Sequence, residues 1–128
     1  MSGLKLIKNQ HLVRSSGYIG GKFTNGLNSS PKMFAVRNPA NGEILTELPR
    51  MTKADAENGA VVANEAWLTW RNSPVTERSK VLSKMGVLMA KYQDDLATII
   101  SLEAGKPFSE AKGEVMYATS FYDFYAEE

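Results

Sequence analysis

Short N-terminal strands that include a hairpin, followed by about four helices, make up the fold that the sequence predicts. Three observations carry the prediction. β-forming residues flank the turn-rich run Asn38-Pro39-Ala40-Asn41-Gly42 in "MFAVRNPANGEILTEL". After Pro49 the apolar residues change to steps of three and four, the period of an amphipathic helix. Helix punctuation then recurs at Ser73-Pro74 and at Gly105 with Pro107, since proline presets φ for a first turn and glycine tolerates a left-handed cap. Strands and hairpin are thus placed in 1–50 and helices in 51–128, within a chain of 128 residues. That is one ordinary domain, long enough to bury roughly two-thirds of its unfolded surface.

Taken in order, "MSGLKLIKNQHLVR" reads as a loose segment, with His11, the chain's only histidine, at its surface. "GYIGGKF" sets Tyr18, Ile19 and Phe23 around a Gly-Gly pair. It resembles a phosphate-binding loop only in part: Ser16 stands where the first glycine is needed, and Phe23 rather than Ser or Thr follows Lys22, so it reads as a turn. "TNGLNSSP" is loop. The five-residue run 38–42, with its proline and Asn-Gly, joins two strands as a hairpin.

The first helix is expected over about 53–71. Thr52 and Asp55 form a capping box with Asp in place of Glu, and Ala56, Ala60, Ala63, Trp67 and Trp70 give its period. Ser73 as N-cap and Pro74 as first helical residue open a second helix, whose apolar face is Val81, Leu82, Met85, Leu88, Met89 and Tyr92. Asp94 and Asp95 suit the positive end of a third, short helix, which carries Leu96, Ile99 and Ile100 and stops at Gly105. Phe108, Ala111, Val115, Ala118, Tyr122 and Tyr125 space a last helix to the C-terminus.

Composition removes several function classes. Net charge is +1, which argues against a nucleic-acid partner or an acidic membrane surface held by bulk electrostatics. No apolar run approaches the roughly 18 residues of a bilayer span, and no secretory signal pattern is present. Cysteine is absent, which excludes disulfides, thiolate ligands and thiol nucleophiles. The residues before Glu43 include no acid but six bases from Lys5 to Arg37. An acid-poor start suits a mitochondrial transit peptide, yet the first 14 residues hold one Arg and one Ser, too few for one. A cytoplasmic location is expected, with a mitochondrial one as the alternative.

The most motif-like stretch, "SLEAGKPFSEAKGE", is mainly punctuation. Gly105 stops one helix, Pro107 starts the next, and Glu110, Lys112 and Glu114 read as a solvated face. Neither a histidine nor a nucleophile accompanies its carboxylates at helical spacing. In "YATSFYDFYAEE", Tyr117, Phe121, Tyr122, Phe124 and Tyr125 occupy more of the helix than one stripe can hide, which predicts a partner surface.

Together, "YIGGKF", "VRNPANGEIL", "AWLTWR", "LEAGKP" and "EAKGE…YAEE", in this order and spacing over residues 4–128, resemble the N-terminal segment of the aldehyde dehydrogenase superfamily, within it most the succinate-semialdehyde dehydrogenases. The resemblance implies an α/β superfamily fragment. In the family a cysteine thiolate adds to the aldehyde, hydride passes to NAD or NADP, and water releases the acid. The family's dinucleotide fold, thiolate and general-base glutamate lie downstream of the region matched, so the resemblance implies a truncated chain, inactive alone and with no cofactor of its own. It further implies Ala118, Phe121 and Tyr122 as a substrate-tunnel wall. A monovalent cation would be held by the carbonyls of Val36 and Arg37 and by Glu103, although the family often has Asp in the last place. Family members are homo-oligomers, so association with a full-length dehydrogenase is one expected role. An autonomous helical interaction module is the other.

Overall fold

The computed structural model describes residues 3–128, with Met1 and Ser2 outside that range. Two compact units are present: one comprises the N-terminal residues to Val13, Arg37–Leu45 and Pro74–Glu128, the other Arg14–Val36 and Thr46–Ser73. Strands precede helices at the expected boundary near residue 50, but the units divide the chain along a different line.

In the second unit, β1 (Gly17–Ile19) and β2 (Lys22–Thr24) pair antiparallel, with Tyr18 opposite Phe23. The glycines between them have φ of 59° and 77°, the two successive positive values that a two-residue hairpin turn of the favoured hand needs. The "GGK" element is therefore a turn, as its sequence predicts. Tyr18 and Phe23 meet edge to face with centroids 5.1 Å apart, and the Arg14 guanidinium lies 4.5 Å over the Phe23 ring.

The predicted hairpin forms from β3 (Met33–Arg37) and β4 (Ile44–Pro49). Its base falls in the second unit and its tip in the first. At the tip Asn38 N–H donates to Glu43 O at 2.9 Å, and Gly42, at φ 72°, donates to Asn38 O at 2.8 Å.

Helix α1 (Lys53–Trp70) starts with the predicted capping box, Thr52 and Asp55 bonding reciprocally. Its outward face differs from expectation. Ala56, Ala60, Ala63, Trp67 and Trp70 are all exposed, while the buried side begins at Asp55 and continues through half-buried Asn58, Gly59 and Val62. Gly59 is where the hairpin docks: a Cβ there would lie 3.6 Å from Ile19 Cδ1. Alanines are small enough to face either way, so a three-four spacing rich in alanine marks a helix without marking its inner side.

In the first unit, α2 (Val75–Lys91), α3 (Gln93–Ala104) and α4 (Phe108–Glu127) follow one another, with α4 packed on both others. Ala97, Ala111 and Val115 form the centre, flanked by Met89, Leu96 and Ile100. Pro74 is the N-cap of α2, its carbonyl accepting Glu77 N–H at 3.0 Å, so the helix starts one residue later than the Ser73 cap predicts. The expected α2 face is divided: Leu82, Met89 and Tyr92 are half-buried, but Val81, Met85 and Leu88 are exposed, and the fully buried residue is Gly86. A Cβ on Gly86 would lie 2.7 Å from Asp123 Oδ1 and 3.6 Å from Tyr122 Cβ, so the absent side chain leaves room for Asp123 where α4 crosses. Gly105 ends α3 at φ 73° with its N–H on Ser101 O at 3.0 Å.

The N-terminal segment is not loose. It forms 3-10 turns at Gly3–Leu6 and Gln10–Leu12, burying Leu4 and Ile7. The Asp95 carboxylate accepts Lys8 N–H at 2.8 Å and Asn9 N–H at 3.0 Å. A residue placed by its sequence as a helix-start charge thus pins a segment 87 positions away. His11 is exposed, as expected.

Candidate functional site

Helix α4 carries three of the six residues to which the sequence assigns a site role, Ala118, Phe121 and Tyr122, and its faces differ. Ala111 and Val115 point into the core; Ala118 and Tyr122, one and two turns on, are half-buried on that same side, with Tyr122 at the Gly86 crossing. Phe121 instead lies on the outer face, 45% exposed, with Tyr117, Phe124 and Tyr125 between 56% and 68% exposed. The three residues expected as one wall are therefore divided, two in packing and one open. Phe121 stacks edge to face on Tyr117, centroids 4.9 Å apart and planes at 77°, and Phe124 does so on Tyr125 at 5.2 Å. One turn before Tyr117, a Cβ on Gly113 would meet nothing within 4 Å. This outer strip of rings is the excess aromatic surface that the sequence predicts; Tyr117, Phe121 and Phe124 are the members that the helix's three-four spacing left out.

The opposite flank of α4 borders a hollow of about 320 Å³ lined by Ala90, Gln93, Val115, Met116, Thr119 and Asp123, among others. Thr119 Oγ1 donates to Val115 O at 2.8 Å, and Ser120 Oγ to Tyr117 O at 2.7 Å, so these hydroxyl protons are used within the helix.

The charged face of α4 is solvated as expected, with Glu110 and Glu114 exposed and Lys112 half-buried, and Lys112 and Glu114 make ion pairs. Lys112 Nζ lies 2.8 Å from Asp94 Oδ1, which holds the Asp94 carboxyl below its usual range. Lys106 pairs with Glu114, which raises the lysine above its ordinary value. Both pairs are largely open to water, where ion pairs stabilise little.

For the expected cation set, Val36 is half-buried near the end of β3 in the second unit, while exposed Arg37 and exposed Glu103 belong to the first. Within the first unit a Cβ on Gly105 would come 2.8 Å from Pro39 Cγ. The hairpin turn thus abuts the end of α3 two residues past Glu103. Arg37 Nη1 donates to Gly42 O at 2.9 Å. Among the described residues no group of three His, Cys, Asp or Glu side chains could hold a metal ion, and no helix is long and apolar enough to cross a membrane.

Buried in the second unit, Asp55 is the most heavily engaged carboxylate. Leu27 N–H reaches its Oδ1 at 2.5 Å, and Thr52 N–H and hydroxyl reach its Oδ2 at 2.6 and 2.7 Å. These donors, Leu27 foremost, hold its carboxyl below the usual range. The capping-box spacing reveals the Thr52 half of this arrangement; nothing local to residue 55 reveals Leu27.

Residues 27–128 match the profile described as "Aldehyde dehydrogenase family". Succinate-semialdehyde dehydrogenase [NADP(+)] of Saccharomyces cerevisiae is 43% identical over 122 residues, covering 95% of this chain and 24% of that protein. Glutarate-semialdehyde dehydrogenase of Pseudomonas putida is 38% identical over 95% of this chain and 25% of its own length. The crystal structure of succinate-semialdehyde dehydrogenase from Burkholderia pseudomallei superimposes with a TM-score of 0.88 at 38% identity, covering 94% of this chain and 25% of that one. The chain spans about a quarter of the length of the relatives it matches.

Proposed function

The chain belongs to the aldehyde dehydrogenase family, and we propose that it is the N-terminal segment of an NAD(P)-dependent semialdehyde dehydrogenase of the succinate-semialdehyde type, supplying scaffold and substrate wall rather than reacting groups. The observation that carries this reading is the 43% identity to the yeast enzyme, sustained over 95% of the chain. Oxidising an aldehyde through a covalent adduct needs a nucleophile at the carbonyl carbon and an acceptor for the hydride. With no cysteine in the sequence, the thiolate step has no residue to perform it. The purified chain, incubated with succinic semialdehyde and NAD or NADP, is expected to form no NAD(P)H. Turnover that follows the protein through further purification would overturn the assignment.

Within this reading Phe121, with Tyr117 stacked beside it, is the part of α4 that borders substrate, and Ala118 and Tyr122 support it from the packed side. The rest of the outer aromatic strip, Phe124 and Tyr125, is the surface by which the chain associates with the remainder of such an enzyme or with a full-length dehydrogenase. A cytoplasmic location belongs to the same proposal.

The monovalent-cation set of Val36, Arg37 and Glu103 is a second element, favoured by the contact of Pro39 with Gly105. A carboxylate and a carbonyl oxygen are both acceptors, so a hard cation between them is what turns their approach into an attraction. In a full-length dehydrogenase that carries this segment, potassium, exchanged for a bulky organic cation at constant ionic strength, should raise the melting temperature of the wild type more than that of Glu103→Gln. Equal responses would leave Glu103 as a helix-end charge only.

A further inference from the structure

The tip of the β3–β4 hairpin holds a reactive pair that the family reading does not use. Three Asn-Gly pairs occur in the sequence: Asn25-Gly26, Asn41-Gly42 and Asn58-Gly59. In such a pair the glycine's missing side chain lets its backbone nitrogen approach the asparagine side-chain carbonyl carbon. We infer that Asn41 is a self-modification site, converting to aspartyl and isoaspartyl forms well ahead of Asn25 and Asn58.

The geometry differs among the three. Asn41 and Gly42 are both exposed, and a Cβ on Gly42 would meet nothing within 4 Å, so a five-membered ring has room to close. Asn41 Oδ1 accepts Glu43 N–H at 2.9 Å, an Asx turn that folds the side chain back over the intervening Gly42 nitrogen and polarises the carbonyl to be attacked. Gly42 N–H also donates to Asn38 O; that bond must open first, which makes the site slower than an unstructured Asn-Gly. The competitors are held more firmly. A Cβ on Gly26 would lie 2.8 Å from Asp55 Oδ1, and Gly26 N–H donates to Thr24 Oγ1 at 3.1 Å while Asp55 grips Leu27. Asn58 and Gly59 are half-buried within α1, where the helical ladder fixes the backbone.

In the reaction a bond forms between Gly42 N and Asn41 Cγ, the Cγ–Nδ2 bond breaks, and ammonia leaves with the proton that Gly42 nitrogen gives up. Water then opens the cyclic imide at either carbonyl, leaving Asp or isoaspartate. The isoaspartyl product lengthens the main chain inside a turn whose Pro39 abuts Gly105 and whose Gly42 carbonyl accepts from Arg37.

The test is peptide mapping by mass spectrometry of the full chain, aged at mildly alkaline pH in native buffer and, separately, in concentrated urea. In native buffer Asn41 should convert at least several-fold faster than Asn25 or Asn58, and in urea the three rates should draw together. Asn25 or Asn58 keeping pace with Asn41 in the native chain would overturn the inference. So would a lead for Asn41 that persists undiminished in urea, because neighbouring sequence rather than the folded turn would then set the order.

Discussion

Val115→Asp is expected to cost on the order of 3 kcal/mol or more of stability, because it places a carboxylate where no partner exists to receive it. Val115 is 4% exposed among Ala97 and Ala111, both fully buried, with Met89, Leu96 and Ile100 packed around them. No backbone donor is free in the middle of α4 to bond the new group, so it would either stay charged at great cost or protonate and break the packing. Met116→Asp is the control, one residue along at 63% exposure, and should change stability by about 0.5 kcal/mol or less, as exposed sites do. Urea melts followed by far-ultraviolet circular dichroism measure both. Similar midpoints for the two variants would mean that α3 and α4 do not pack through this face.

Asp55→Ala should produce the largest loss in the second unit. The substitution strands three donors at once, Leu27 N–H, Thr52 N–H and the Thr52 hydroxyl, and so frees both the 25–30 loop and the start of α1. Thr52→Ala, which removes the cap but leaves the bond to Leu27, should cost only about 1 kcal/mol. Hydrogen exchange at the Leu27 amide separates the two variants: it should quicken in Asp55→Ala and stay nearly unchanged in Thr52→Ala.

The acid response of the same residue has a definite sign. Asp55 titrates below its ordinary value of 3.8 in the folded chain, so the unfolded chain binds its proton first as pH falls. Its contribution is complete above roughly pH 5 and declines as pH drops through the depressed folded value. The stability gap between wild type and Asp55→Ala should therefore be constant near neutrality and narrow in acid. A gap that stays constant down to strongly acidic pH would show that Asp55 acts through packing rather than as a charged acceptor.

What the sequence determined by itself is what neighbouring residues settle among themselves. The order of strands and helices, the Gly20-Gly21 turn, the Thr52–Asp55 box and the stop at Gly105 each depend on groups within a few positions of one another, so their chemistry is readable along the chain. The matched family motifs are likewise local. The tertiary structure alone decided which side of α1 is covered, since its alanines fit either face and the docking of Ile19 on Gly59 selects one. It also decided the partners of Asp95 and of Asp55 beyond its cap, because backbone N–H groups at Lys8, Asn9 and Leu27 are the same in every residue and leave no mark in the sequence. The division of the expected wall followed the same rule: Tyr122 lies on the side of α4 that faces Gly86 of α2, whereas no element among the described residues covers Phe121.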